Sequence, residues 1–542
     1  MSDLAPDVAH DIPLHSRPDV YQRRWFLLGV LCLSLVMVVM AVSSLNVALP
    51  TIQRELDTSA TALQWIIDSY ALVFAGLLLT AGALGDRFGR KGALLTGLGV
   101  FAAGALLSGL GTSAGVVIAG RAVQGAGAAL VMPATLSLIT AIFPPEERTR
   151  AIAVWVGFAG AGGAIGPVVS GALLEHFWWG SAFLINLPVI AGTAAAIAAY
   201  SPRSRDDDVT PLDPRGAALS LVGLATLLFG IIEGAERGWT DTLVLTSFAA
   251  AAVFLTWFVR WELRAPHPML PMRYFADRRF SVGSAVITTS FFMMFGWFFL
   301  FSLYLQFARG YSPLDAGLAT LPFAPVLIVM SPRGERLARR IGSGQTIALG
   351  FLLVAAGMTV MTLVGVTTPY LLLVAGMVLL AAGMAIMMAP GTGSIMSAVP
   401  LAKAGVGSAV NDTTRELGGA LGIAVFGTIV NSAYRANINL GGLDLPDSVA
   451  GQAEESVGAA AGVAGQLGGA GSLLVDRAAH AYTDAFNLAA TVAVVVAIAA
   501  AGAVLRTFSR AKEERAAAEA EGQVIDAEAA PAELAVEPVA AE

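Results

Sequence analysis

Fourteen apolar stretches, each of 18 residues or more, divide this chain of 542 residues. They run over about 25–49, 62–84, 92–110, 114–141, 151–174, 181–200, 214–233, 241–261, 280–306, 313–332, 344–364, 369–389, 404–430 and 485–507. One such stretch, coiled as a helix, spans the roughly 30 Å hydrocarbon core of a bilayer. Lipid offers no partner for backbone N–H and C=O groups, so a spanning segment of this length must satisfy them internally as an α-helix. Charged residues make up 13% of the chain, about half the roughly 25% of a soluble domain. The 59 glycines suit helices that pack closely in lipid. The expectation is an all-α polytopic membrane protein with 14 transmembrane helices. Residues 25–49 are too long for a signal-peptide core and lack a clear small-residue cleavage site, so they read as a retained anchor.

Basic residues set the sides. With the N-terminus placed inside, inner segments hold 25 of the 32 lysines and arginines, outer segments hold 5, and Arg121 and Arg415 fall within spans. Such a bias is the positive-inside pattern and predicts that both termini are cytoplasmic. The organisation expected is a cytoplasmic tail (1–24), a six-helix half (25–200) and an inserted helix pair with flanking loops (201–279). A second six-helix half (280–507) and a cytoplasmic tail (508–542) follow. One long outer loop, 431–484, lies in the second half and carries no recognisable function. An internal repeat supports two halves. Leu84-Gly-Asp-Arg-Phe-Gly89 and Leu337-Ala-Arg-Arg-Ile-Gly342 align at an offset of 253 residues, with Arg339 in place of Asp86. Parallel halves with a site between them at mid-membrane are a transporter architecture.

The charges inside spans are the candidate chemistry. A centred arginine costs roughly 2.5–3.5 kcal/mol on insertion scales, so Arg121 should face the interior and have a partner. Asp68 lies at matching depth in the second span and is the expected one. Asp412 and Glu416 are four apart and share a helix face, with Arg415 between them. Two carboxylates on one face in low dielectric repel, and one proton held between them relieves this. A neighbouring arginine opposes that sharing. A carboxylate that gives up a proton to a cationic substrate is a minimal exchange device. The bland alternative for both clusters is a static ion pair that pins helices. Phe291–Phe301 is rich in aromatics and methionine. Phe295, Trp297 and Met294 are its candidate substrate contacts, since aromatic faces attract lipophilic cations and methionine adapts to varied shapes. Lipid-facing bulk is the alternative. Cys32 stands alone, which excludes an internal disulfide. The five scattered histidines have no metal-ligand spacing, and neither metal, cofactor nor enzymatic chemistry is expected.

Several stretches together carry a family resemblance. They are Gly82-Ala-Leu-Gly-Asp-Arg-Phe-Gly-Arg-Lys91, Gly120-Arg-Ala-Val-Gln-Gly-Ala-Gly127, Gly162-Gly-Ala-Ile-Gly-Pro-Val-Val-Ser-Gly171, Phe183-Leu-Ile-Asn-Leu-Pro188 and Asn411-Asp-Thr-Thr-Arg-Glu-Leu-Gly-Gly-Ala-Leu-Gly422. The set resembles the fourteen-span drug–proton antiporters of the major facilitator superfamily, the QacA/EmrB type, over roughly residues 25–507. The resemblance implies two six-helix halves plus two inserted helices, and multidrug efflux across the cytoplasmic (inner) membrane. It implies that Asp86, Arg87, Gly89 and Arg90 form a conformational latch. Gly162, Gly166 and Pro167 would form the hinge of the antiporter motif. It ties Arg121 to proton transfer and the second-span acid, Asp68, to proton or cation binding. Asn46 and Pro50 match the family, and Asn46 is taken with the substrate contacts. The proton-coupling candidates are Asp68, Arg121, Asp412, Arg415 and Glu416. Two positions depart. Ala41 stands where many relatives carry aspartate, so the chain relies on Asp68 and Asp412 for protons or cations, or prefers different substrates. Ser170 stands where glycine is common.

The expected partners are a lipophilic small-molecule substrate, protons and membrane lipids, with no nucleic acid and a monomeric chain. The rival readings are a metabolite importer or symporter on the same fold, and a lipid translocase or envelope-assembly factor.

Overall fold

A computed structural model describes residues 14–56, 60–202, 213–443, 445–465, 467 and 469–507. The tail after 508 lies outside the described residues, as do residues 1–13. The first half comprises α1 (Pro18–Glu55), α2 (Ala60–Phe88), α3 (Arg90–Gly109), α4 (Ala114–Ile142), α5 (Pro145–His176), the single turn α6 (Ser181–Leu184) and α7 (Asn186–Tyr200). The inserted pair is α8 (Pro214–Arg237) and α9 (Thr242–Glu262). The second half comprises α10 (Arg278–Leu303), α11 (Pro313–Thr320), α12 (Phe323–Ile341), α13 (Ser343–Met361), α14 (Tyr370–Ser397) and α15 (Ala404–Asn437). It closes with α16 (Asp447–Glu455), α17 (Val457–Ala464) and α18 (Gly469–Thr507). Thirteen helical segments of the described chain are long and apolar enough to cross a membrane. The 32-residue α5 stands where the remaining expected span was placed.

Residues 431–484, read from sequence as one outer loop, are largely helical. Helix α15 runs on to Asn437, α18 begins at Gly469, and α16 and α17 lie between. The Tyr434 hydroxyl donates to Ala453 O at 2.9 Å, and Val457, Ala460 and Ala464 are buried. The segment's alanines and glycines make a compact cap because small side chains let short helices pack on one another. The N-terminal tail is also shorter than expected, since α1 starts at Pro18. Arg24 there donates to Glu147 on α5 at 2.8 Å, and this bond holds the Glu147 carboxyl below its usual range.

The two halves repeat one packing scheme. In the first, Gly97 and Gly104 of α3 meet α4 at Gly127 and Gly120; a Cβ on either α3 glycine would lie 2.9 or 2.7 Å from the facing carbonyl oxygen. In the second, Gly350 and Gly357 of α13 meet α14 at Gly383 and Gly376, each at 2.8 Å by the same measure. Glycine at these crossings lets backbones touch. Helix α4 is central, with 89% of its spanning positions buried, whereas α9 has 22% and faces outward. The halves meet along α2 against α15, α4 against α15, and α5 against α12 and α14. Helix α8 packs on both α2 and α15 and so lies over one of these seams.

Candidate functional site

At one end of the bundle the Gly82–Lys91 loop meets the start of α15. The carboxylate of Asp86 accepts hydrogen bonds from the backbone N–H groups of Gly405 at 2.9 Å and Val406 at 3.2 Å. Arg90 reaches the same carboxylate from Nε at 3.2 Å and Nη2 at 3.1 Å. Arg90 Nη2 also donates to Leu401 O at 2.5 Å. A carboxylate at a helix N-terminus satisfies donors that have no partner within the helix and lies at the positive end of its dipole. Asp86 and Arg90 are 2% and 3% exposed, so this inter-half contact is shielded from water. Gly89 takes φ 106° to turn the chain into α3, a conformation that favours glycine. Arg87 lies over the ring of its neighbour Phe88 at 5.3 Å. The counterpart Gly342 has φ 90°, but Arg339 there pairs with Glu335 of its own helix and no helix cap is made from Asp86's counterpart position. The two loops share a fold and differ in their contacts.

Nearer the middle, Arg121 is fully buried. Its Nε donates to Ile66 O at 3.2 Å, its Nη1 to Gln124 Oε1 at 3.0 Å, and its guanidinium lies 4.3 Å over the Tyr70 ring. These contacts come from one face of α2 and from α4 itself. Ile66 and Tyr70 are four apart and share the side of α2 that meets Arg121, while Asp68 points about 200° away from Ile66 around the helix. Asp68 is half-buried on α2.

On α15, Asp412 is 1% exposed. Its Oδ1 accepts from Asn411 Nδ2 at 3.3 Å and lies 3.8 Å from Arg415 Nη1. Arg415 lies over Trp155 of α5 and Phe291 of α10. Buried polar and aromatic groups thus line the seam, Arg121 with Tyr70 on one side, Asp412 with Arg415 on the other, and Arg415 reaches across to Trp155. Sequence reasoning missed Tyr70, Gln124, Trp155 and Phe291. Gln124 stands in a quoted motif one turn from Arg121, Tyr70 is two residues after Asp68, and Phe291 opens the aromatic stretch Phe291–Phe301. Trp155, deep in a small-residue span, was a further visible signal.

Gly162 and Gly166 bring α5 against α1. A Cβ on them would lie 3.0 Å from Val36 O and 2.0 Å from Ser43 Oγ, and Ser44 Oγ donates to Gly166 O at 3.1 Å. Gly418 and Gly422, 256 residues later, do the same for α15 on α10, at 2.3 Å from Thr288 O and 2.1 Å from Phe292 O. The side chains of Pro167 and Asn46 lie outside the described ones, though both residues fall within helices, α5 and α1. Of the aromatic candidates, Trp297 stacks on Phe301 at 4.6 Å and Phe323 at 6.0 Å in the core of the second half. Phe295 is 40% exposed and packs on Gly419, and Met294 is half-buried.

Halves that repeat, joined by a buried ionic contact and a polar seam, are the architecture of a membrane transporter. The family model for the Major Facilitator Superfamily matches residues 31–423, and the chain belongs to that superfamily. It is 35% identical to the multidrug efflux pump LfrA of Mycolicibacterium smegmatis, over 90% of this chain and 97% of that one. It is 33% identical to the methyl viologen resistance protein SmvA of Salmonella typhimurium (91% and 99% covered). It is 31% identical to the tetracenomycin C resistance and export protein of Streptomyces glaucescens (91% and 93%). Among solved structures, human organic anion transporter MFSD10 superposes with a TM-score of 0.57 at 15% identity, covering 89% of this chain and 100% of that one. A bacterial homologue of the lysosomal transporter Spinster gives 0.56 at 18% identity, covering 91% and 98%. These two likenesses concern the fold alone.

Proposed function

We propose that the protein exports lipophilic, chiefly cationic drugs or natural-product antibiotics across the cytoplasmic membrane in exchange for protons, by alternating access. The latch end is the cytoplasmic end, and both termini are cytoplasmic. The observation that carries this reading is the buried seam itself. Arg415 of one half lies over Trp155 of the other, with Asp412 beside it. Groups that bind a proton or a cation there are exposed or covered as the halves rock. Multidrug efflux by LfrA and resistance to methyl viologen, an organic cation, by SmvA, both matched along nearly their whole length, support efflux of organic cations. Asp68 and Asp412 are the proposed proton carriers, Arg121 and Glu416 set their field, and Gly162, Gly166 and Pro167 form the hinge. A driving force of about 180 mV per proton supplies about 4 kcal/mol, enough for about a thousandfold gradient at one proton per substrate.

The test is transport in proteoliposomes with an imposed pH gradient. Ethidium should move against the proton flow and release protons, and Asp412→Asn and Asp68→Asn should each abolish that release. Substrate moving with the protons would overturn the exchange reading, and full release by either variant would remove that residue.

A further inference from the structure

Arg415 lies between two aromatic rings contributed by opposite halves. Its guanidinium carbon is 4.7 Å from the ring centroid of Trp155 and 5.2 Å from that of Phe291. The Trp155 ring is fixed, fully buried with Nε1 donating to Thr135 Oγ1 at 3.2 Å. The nearest acid, Asp412, approaches Arg415 Nη1 only to 3.8 Å, which is longer than a hydrogen bond. Arg415 Nε and Nη2 and Asp412 Oδ2 have no hydrogen-bond partner among the described residues. A buried guanidinium normally spends its five N–H groups on acceptors. This one is held chiefly by ring faces. Ring faces do not distinguish a guanidinium from another flat, weakly hydrated cation. The box and its adjoining carboxylate therefore form a receptor for a delocalised organic cation, and the chain fills it with its own side chain.

We propose that Arg415 is a built-in stand-in for the substrate. A planar, lipophilic organic cation binds by displacing the guanidinium from between Trp155 and Phe291, and the displaced side chain turns along α15 toward Glu416. The inference rests on the exporter reading and names its substrate class. Because one ring comes from each half, the box is whole only when α5 and α10 lie together, and its occupant registers that state. Selectivity follows from the competition. Cations with charge spread over a flat surface displace the guanidinium, while neutral aromatics of the same size do not gain from the ring faces and bind elsewhere or weakly.

The test is equilibrium binding to the full-length protein in lipid nanodiscs, without a gradient, using ethidium as the cation and Nile red as a neutral aromatic. Arg415→Ala should bind ethidium about tenfold more tightly, with Nile red unchanged, because the internal competitor for the rings is gone. Ethylguanidinium, refilling the box, should then compete ethidium off the variant and leave Nile red bound. Trp155→Leu should weaken ethidium about tenfold in both backgrounds. Ethidium binding that is unchanged or weaker in Arg415→Ala, with Nile red retained, overturns the proposal. Should Arg415→Ala lose Nile red as well, Arg415→Lys is read instead. Its compact ammonium is a poorer ring occupant, so ethidium should tighten several-fold, and no tightening overturns the proposal equally. These contrasts in a protein that fails to export would sink the exporter reading and leave the box standing. Export without the contrasts would do the reverse.

Discussion

Asp86 gathers two backbone N–H groups of one half and the Arg90 guanidinium of the other. An asparagine there keeps one acceptor oxygen but turns an NH2 toward the second donor. Asp86→Asn should weaken the latch-closed state by about 2–3 kcal/mol, the cost of a lost charged hydrogen bond in a buried place. Distances measured by electron spin resonance between labels at the latch ends of α3 and α14 should lengthen. An unchanged distribution would show that Arg90 and Leu401 alone hold the end closed. Tyr70 poses a different question. Its ring carries Arg121, but its hydroxyl has no hydrogen-bond partner among the described residues. Tyr70→Phe keeps the ring face and should leave thermal stability within about 0.5 kcal/mol. Tyr70→Leu removes it from a fully buried cation and should cost about 2 kcal/mol. Equal losses in the two variants would assign the role to the hydroxyl instead.

At the level of helices, the glycine crossings show how far a sequence can be read. The spans were legible because apolar length is a local property, and the Gly82–Lys91 loop because charge between spans has few places to go. The contact at Asp86 was half legible, since the resemblance marks the residue while its two partners, Arg90 and the start of α15, come from the structure. The contacts of Arg121 with Ile66, Gln124 and Tyr70 were not, because depth follows from counting residues while the face that meets a neighbour follows from packing. The repeat of the Gly162–Gly166 spacing at Gly418–Gly422 is readable in the sequence, whereas the helices they pack on, α1 and α10, follow only from the packing. At Gly418 a Cβ would meet the Thr288 backbone at 2.3 Å, whereas at Gly163 the nearest atom is a Val39 methyl at 4.0 Å. Gly418→Ala should therefore cost about 1–3 kcal/mol by overpacking and lower the melting temperature, with Gly163→Ala near neutral. Equal melting temperatures would mean that α10 and α15 separate without penalty. The strap between α1 and α5 is weaker. Glu147 has its carboxyl held down by Arg24, so its contribution is full above the unfolded-state value and fades as pH falls through the lower folded one. At 29% side-chain exposure the pair is worth about 0.2–1 kcal/mol. A double-mutant cycle of Arg24→Ala and Glu147→Ala should show that coupling at pH 7 and lose it in acid.

In the molecule as a whole, two seams join the halves and they are built differently. One, α5 against α12, is pinned where Ser331 Oγ donates to Ala153 O at 2.7 Å. The other, α2 against α15, carries the latch and is overlaid by α8, whose following Trp239 donates from Nε1 to Thr428 Oγ1 of α15 at 3.0 Å. The inserted pair thus bridges the seam that the latch must open. Closure at that seam depends on backbone approaching backbone. A Cβ on Gly82 would lie 2.5 Å from Gly405 O, and one on Gly405 would lie equally close to Gly82 O. Neither glycine has a positive φ, so a larger residue is strained only by its neighbour in the closed state and not by its own backbone. Gly82→Leu should consequently trap the molecule with the latch end open. Transport should stop, substrate binding from the latch side should persist, and the melting temperature should change little, because the clash vanishes when the halves part. Gly85→Ala is the matched control, since its Cβ would meet only Ala93 Cβ at an ordinary 3.5 Å. Cysteine pairs placed across α2 and α15 should cross-link in Gly85→Ala and in the unaltered chain but not in Gly82→Leu. Cross-linking in all three would mean that α15 slides past the bulk, and that the latch closes by more than one register of these two helices.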